Sequence, residues 1–172
     1  HCESVIPRRI VREQWSTEVS RKSLYSNFNH LTEDWISQNS FPELMDSVQT
    51  YSYQIREFDS FHICVNDLWI REDKPASVNI IKGHYTDQIA PVLHCGHSGK
   101  GEDRLNFTES FPREQMLPEI YEESATPKAY IFSPLYFEDM CFGYAVLGYG
   151  NEPKAYDERY YMWLHNLMIG ME

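Results

Sequence analysis

Three side chains that could bind a metal ion lie close together in HCGHSGKGED, at His94, Cys95 and His97. Imidazole and thiolate are good donors for zinc or iron, and His84 could add a ligand. The chain has no second closely spaced pair, and the surrounding glycines predict a flexible, solvated loop that would not hold ligands in place. We therefore expect no metal and no cofactor; if a metal were bound, His94, Cys95 and His97 would be the candidates.

Cys95 is also a candidate redox nucleophile, because a thiolate near His97 could be activated by that imidazole. The other cysteines, Cys2, Cys64 and Cys141, are scattered over different predicted elements. This spacing favours reduced cytosolic thiols over a secreted disulfide framework. Cys64 and Cys141 lie in apolar strand patterns, which predicts that both pack as small hydrophobic side chains.

A candidate ligand-binding face follows from the strand alternation in FHICVN, residues 61–66. The apolar set of this strand is expected to face the core, which leaves polar side chains on the opposite face. Tyrosines in the later strands add rings with polar tips, which suit a small-molecule pocket. The alternative is that these tyrosines simply pack at the sheet edge. The predicted ligand-binding residues are His62, Cys64, Asn66, Tyr136, Tyr144 and Tyr149.

The last candidate site is a group of three carboxylates that could do acid–base chemistry. Its residues, Glu119, Glu122 and Glu123, have the spacing of one helix face. Paired carboxylates could transfer protons, but no histidine or nucleophile lies near them in the sequence. A solvated face is therefore expected. The chain also has no phosphate-binding glycine motif, serine-nucleophile elbow or paired metal motif, so we predict that it is not an enzyme.

The composition predicts a folded, acidic protein. The chain has 172 residues, 42% of them hydrophobic, and a net charge of −11, which predicts repulsion of nucleic-acid phosphates. No apolar run approaches the length of a membrane span and no signal peptide is recognisable, so a cytoplasmic location without membrane contact is expected. The chain begins with His1 and ends inside a helical pattern, which suggests a piece of a longer protein.

Helices are predicted at both ends of the chain. Residues 8–37 show a narrow apolar stripe typical of helix pairing, so residues 1–38 are interpreted as a linking and dimerisation helix; packing on its own domain is the alternative. A second helix begins at a capping box formed by Ser40 and Glu43, with Pro42 in its first turn. The stripe residues are Val11, Trp15, Val19, Leu24, Phe28, Leu31 and Trp35 in the first helix, Leu44, Val48, Tyr51 and Ile55 in the second, and Tyr160, Leu164, Leu167 and Met171 in a last helix over 156–171.

Strands and loops are predicted between these helices. The order of elements contains no regular strand–helix–strand unit, so the fold class is α+β, with an antiparallel sheet and helices packed on one side. A hairpin is predicted over 129–150, with a tight polar turn at residues 137–140. Pro134 is expected to break its first arm, and Gly143 marks a close approach of another backbone or a ligand. The remaining predictions are strands at 61–66, 77–85 and 105–107, a mobile loop at 91–103 and a loop with a helical turn at 111–123.

Several segments resemble GAF-type small-molecule sensor domains, from about Asn39 onward. FHICVN resembles their first sheet strand, FPREQMLPE the crossover before the last hairpin, and SPLYFEDMCFGYAVLGYG that hairpin. RKSLYSNFNHLTEDWISQNSFPELMDSV resembles the entry helix of bacterial regulators in which a periplasmic-binding-protein-like domain precedes a GAF-like domain. In those proteins a GGDEF diguanylate cyclase or an arabinose-regulator-type helix-turn-helix domain follows.

The resemblance implies a function without catalysis in this chain. Residues 39–172 would form a GAF-like sensor domain that binds an unknown small molecule, ends in a signalling helix and dimerises through its terminal helices. A ligand-free structural dimerisation module is one alternative. A thiol- or metal-dependent enzyme such as the GAF-related methionine sulfoxide reductases is another, although their cysteine arrangement is not visibly reproduced.

Overall fold

The computed structural model describes residues 28–55, 58–70, 84–96, 109–150 and 158–172. Over these residues the two helices before the sheet, the strand at 61–66, the hairpin and the last helix are present as predicted, whereas the second strand lies in a segment that was predicted to be a loop. The first helix before residue 28 and the strands predicted at 77–85 and 105–107 lie wholly or largely outside the described residues. The elements are α1 (28–36), α2 (Phe41–Tyr51), β1 (Ser60–Asn66), β2 (Gln88–Gly96), β3 (Phe111–Pro112), β4 (Ala129–Phe137), β5 (Met140–Tyr149) and α3 (Glu158–Met171).

The five strands form one sheet with β1 at its centre. Their order is β3-β2-β1-β5-β4, and every neighbouring pair is antiparallel. Every residue of β1 is buried, because side chains from both faces of this strand are covered. The α+β class with an antiparallel sheet is thus confirmed.

The main core lies between one face of the sheet and the three helices. Phe61 of β1 packs edge-on against Trp163 of α3, with ring centroids 5.4 Å apart, and Trp163 packs in the same way against Trp35 of α1 at 5.0 Å. Phe28 and Leu31 of α1 are buried in the same core. The described part of the predicted pairing stripe therefore packs on its own domain, and any helix pairing in a dimer would have to use other residues.

Two helix predictions are confirmed by local contacts. Ser40 is the N-cap of α2, and its hydroxyl accepts a hydrogen bond from the backbone N–H of Glu43. The Glu43 carboxylate in turn accepts a hydrogen bond from the backbone N–H of Asn39, one residue before the cap. Side chains at the start of α2 thus satisfy backbone N–H groups that have no partner within the helix. The apolar stripe predicted for the last helix, from Tyr160 to Met171, is buried in the main core.

The prediction that Pro134 breaks the first arm of the hairpin is wrong. β4 runs without interruption from Ala129 to Phe137, and Pro134 lies opposite Tyr144. β4 is an edge strand, so one of its two sides has no neighbouring strand. A proline, which has no backbone N–H, is tolerated in such a strand because no hydrogen bond to a neighbour is needed on that side. The turn itself, at Glu138 and Asp139, lies where it was predicted.

The loop predicted to begin at Pro91 is also corrected. Residues Gln88–Gly96 form β2, and all of β1 pairs with it, from Ser60 opposite Gly96 to Asn66 opposite Ile89. The register shifts between Ile63 and Cys64, whose partners are Leu93 and Pro91, so that Val92 is the extra residue of a bulge. Proline is tolerated at a bulge because the ladder is interrupted there, and the glycines that suggested a loop follow the strand.

Candidate functional site

The sheet face that turns away from the helices, here called the second face, carries a smaller apolar cluster. In β1 this face presents His62, Cys64 and Asn66, because they alternate with the residues of the main core. The alternation predicted for this strand is therefore confirmed. The members of the cluster are Cys64, Ile89, Phe111, Leu117, Tyr144 and Val146.

Residues 111–121 cross the second face and are here called the covering segment. Its first two residues form β3 on the edge of β2, and Leu117 is buried in the apolar cluster. The Tyr144 hydroxyl donates a hydrogen bond to the backbone carbonyl of Met116. Met116 has a positive φ of 58°, which a residue with a side chain seldom adopts. The segment then makes a 3₁₀ turn over Pro118–Tyr121 that brings Glu119 onto the sheet.

A polar group of five side chains, here called the His–Glu cluster, lies under this turn. It consists of His62, His94, Glu119, Lys128 and Tyr130. The His62 Nε2 atom lies 2.8 Å from Glu119 Oε2, and the imidazoles of His62 and His94 stack with centroids 4.3 Å apart and planes 8° apart. On the other carboxylate oxygen, Glu119 Oε1, the Lys128 ammonium lies at 3.3 Å and the Tyr130 hydroxyl donates at 3.4 Å. His62 of β1, Tyr130 of β4 and Lys128 just before β4 thus all contact one carboxylate of the covering segment, and His94 of β2 stacks on His62.

The charge of Glu119 is strongly favoured. Contact with the His62 imidazole and, to a smaller extent, with the Lys128 ammonium lowers the pKa of Glu119 to about 2, against burial that would raise it. The carboxylate is therefore ionised throughout the physiological range. Although the His62 Nε2 atom is close to this carboxylate, it is buried and makes no hydrogen bond of acceptable geometry. A buried donor in this state is uncommon in folded proteins.

The predicted ligand-binding residues fall into four environments. His62, Cys64 and Tyr144 meet on the second face. The Asn66 side chain is fully buried, but its amide bonds the backbone at Cys141 and Thr86.

The two other predicted tyrosines lie elsewhere. Tyr136 is exposed on the edge strand β4, while Tyr149 belongs to the main core on the helix side. The structure therefore brings together three of the six predicted residues as side chains that could face a ligand: His62, Cys64 and Tyr144.

The residues considered for a metal site or a redox thiol do not form one group. His94 lies on the second face, opposite His62, whereas the side chain of its neighbour Cys95 points into the main core. Burial raises the pKa of the Cys95 thiol, which opposes a role as a nucleophile. His97 lies outside the described residues, and His84 is exposed.

Sequence reasoning missed the central contact of the site. The sequence predicts a solvated face for Glu119, Glu122 and Glu123, and only the last two are exposed. No local pattern links Glu119 to His62, because the two meet only when the covering segment crosses the sheet. His94 could have been placed opposite His62 if Gln88–Gly96 had been recognised as a strand.

The thiol of Cys64 is expected to be unreactive in the folded protein. Burial raises its pKa to about 12, so at pH 8 it has roughly a thousandfold less thiolate than an ordinary cysteine. Labelling with iodoacetamide, followed peptide by peptide by mass spectrometry, should be at least about 100-fold slower in native protein than in urea. Equal rates would mean that the apolar cluster does not shield the second face.

No protein-family model, curated protein sequence or solved structure matches the chain. Among the described residues, no helix has the length and apolar character needed to cross a membrane. The geometry of the second face is therefore the basis for assigning a function.

Proposed function

We propose that this chain is a small-molecule-sensing module of a larger cytoplasmic signalling protein, and that its ligand binds on the second face, beneath the covering segment. The observation that carries the proposal is the His–Glu cluster. It places an ionised carboxylate, an ammonium, a tyrosine hydroxyl and two imidazoles beside an otherwise apolar sheet face. Apolar surfaces with a few convergent polar groups are the usual form of a ligand site.

The cluster is poorly explained by stability alone. Removing charged groups from water costs several kcal/mol per ion, and hydrophobic residues of similar volume often serve a fold equally well. Here His62 is only 4% exposed, and the oxygen nearest to its Nε2 atom is poorly aligned for a hydrogen bond. A cost of this kind is expected where the groups serve binding.

In this proposal the covering segment is the part of the second face that moves when the ligand binds. It rests on the sheet chiefly through Phe111, Leu117 and Glu119, while residues 113–116 are exposed. The positive φ of Met116 is held by the Tyr144 hydrogen bond, and strained backbone of this kind often occurs at ligand sites. A ligand that contacts both Glu119 and the sheet would shift the position of this segment.

A signal from this site would pass through β1. His62 lies on the second face, and its neighbours Phe61 and Ile63 pack in the main core with α1 and α3. An antiparallel sheet with helices on one face is compatible with the GAF-like resemblance, which supports the sensor role as fold analogy. In this proposal the terminal helices carry the change to an output domain, such as a diguanylate cyclase or a transcription regulator, in a homodimer.

A thermal-shift screen against cyclic nucleotides, amino acids and other metabolites tests the proposal. A ligand at about 100 times its dissociation constant should stabilise the protein by about 2.7 kcal/mol, which is about 5–10 °C for a chain of this size. In Glu119→Gln we expect that shift to fall by more than half. Glu122→Gln, the same chemical change at an exposed position three residues away, should leave it unchanged.

Two results would contradict the sensing proposal. If no compound gives a saturable shift and the light-scattering mass is that of a stable dimer, the chain is better described as a structural dimerisation module. If a ligand binds but Glu119→Gln and Glu122→Gln behave alike, the ligand site lies elsewhere in the protein.

A further inference from the structure

Three potential metal ligands meet within the His–Glu cluster. One donor atom from each of His62, His94 and Glu119 lies within 4.8 Å of the other two. Donors around a tetrahedral zinc ion are about 3.3 Å apart, given metal–ligand distances of about 2.0–2.1 Å. The pair already at 2.8 Å, His62 Nε2 and Glu119 Oε2, would open slightly and His94 would rotate inward. Small side-chain movements would therefore complete a three-ligand site.

His62 and Glu119 approach each other closely without forming a hydrogen bond. The buried His62 Nε2 atom is aimed close to Glu119 Oε2 but makes no hydrogen bond of acceptable geometry with it. An ion placed between the two atoms and His94 would satisfy both, because it needs a lone pair from each and no N–H direction. The parallel stacking of the two imidazoles presents their edges side by side.

The surroundings of Glu119 fit the support that a ligating carboxylate needs. Tyr130 and Lys128 both contact Oε1, which leaves Oε2 for the ion and fixes the orientation of the carboxylate. Partners of this kind commonly hold metal ligands in place. The three ligands come from β1, β2 and the 3₁₀ turn of the covering segment, so an ion would join that segment to the sheet.

We propose that His62, His94 and Glu119 bind a divalent transition-metal ion of the zinc type, with a coordination position left open. This inference rests on the proposed function, since it names a ligand class for the same face. Two imidazoles and one carboxylate favour such ions over magnesium or calcium, which prefer oxygen donors. Three protein ligands leave room for water or an anionic molecule at the ion.

The test uses the whole chain, produced without a histidine tag and stripped with EDTA. Zinc chloride is titrated in competition with a chromophoric chelator, and cobalt chloride is added separately to record the visible absorption of bound Co²⁺. We expect one zinc per chain, a higher melting temperature with zinc, and binding at least about 100-fold weaker in His94→Ala and in Glu119→Gln. His165→Ala and Glu122→Gln, at exposed positions, are the matched controls and should bind like the parent.

Several results would overturn the metal site. They are no zinc at one equivalent, zinc binding that is unchanged in both His94→Ala and Glu119→Gln, or loss of binding in His97→Ala alone. If a variant unfolds, the Co²⁺ absorption of the other folded variant decides. If zinc fails while an organic ligand shifts the melting temperature in a Glu119-dependent way, the metal inference falls and the sensing proposal stands; if both fail, so do both proposals.

Discussion

Gly143→Ala is expected to destabilise the protein by about 3–5 kcal/mol, from the combined costs of backbone strain and overpacking. Gly143 has a φ of +148°, and an added Cβ would lie 2.1 Å from the Cys64 carbonyl oxygen and 2.6 Å from Val65 Cα. Both contacts are with the backbone of β1, the central strand, so neither can be relieved by a side-chain rotation. At about 2–4 °C per kcal/mol for a chain of this size, the variant should lose about 6–20 °C of melting temperature, a large part of a stability that is only about 5–15 kcal/mol for whole domains.

Gly150→Ala is the matched control for this prediction. Its added Cβ would approach the Asp59 Oδ2 atom to 2.3 Å, but that atom is the end of a side chain that can turn away. We expect a loss below about 1 kcal/mol, in the range of ordinary surface changes. Chemical denaturation with urea measures both variants, and equal midpoints would show that Gly143 does not sit as close to β1 as described.

Asn66→Ala should cost about 2–4 kcal/mol of stability, from the side-chain hydrogen bonds lost and buried partners left unsatisfied. The Asn66 amide donates to the carbonyl of Cys141 at 2.7 Å, and its oxygen accepts from the N–H of Thr86 at 3.0 Å. These bonds connect the end of β1 to β5 and to the segment that enters β2. Asn66 is fully buried, so water could not readily replace the missing partners.

Thr86→Val is the control for Asn66, since it keeps the N–H donor and removes only the hydroxyl, which is 3.3 Å from the Asn66 oxygen and 2.6 Å from the Gln88 carbonyl. We expect it to cost about 1 kcal/mol. Differential scanning calorimetry compares the two. A cost for Asn66→Ala under about 0.5 kcal/mol would mean that this amide is available to a ligand, as the sequence had suggested.

Local patterns were sufficient for most of the elements. The alternation of Phe61, Ile63 and Val65 with His62 and Cys64 predicted both faces of the central strand, because side chains on a strand point alternately to its two sides. The capping box at the start of α2 and the stripe of α3 were predicted from helix spacing in the same way. Each of these features depends on residues that are near one another in the chain.

The wrong predictions concern segments that contain proline or glycine, because the effect of these residues depends on the position of their strand in the sheet. Pro134 was expected to break a strand, but β4 is an edge strand, where a missing N–H can face solvent. Pro91 was assigned to a loop, yet it lies at a bulge in β2. Whether a strand is central, at an edge or bulged depends on its partners, and no local pattern contains that information.

The sequence by itself determined the α+β class, the hairpin turn, and the polar face of β1 with His62. Only the tertiary structure decided what that face meets. Glu119 reaches His62 because the covering segment crosses the sheet, and His94 lies beside it because β2 pairs with β1. Local spacing fixes the direction of a side chain from its own backbone, whereas contacts between distant segments depend on the packing of the whole chain. For that reason the candidate site could not be assembled from the sequence, although His62 was a predicted ligand-binding residue and His94 was a candidate metal ligand.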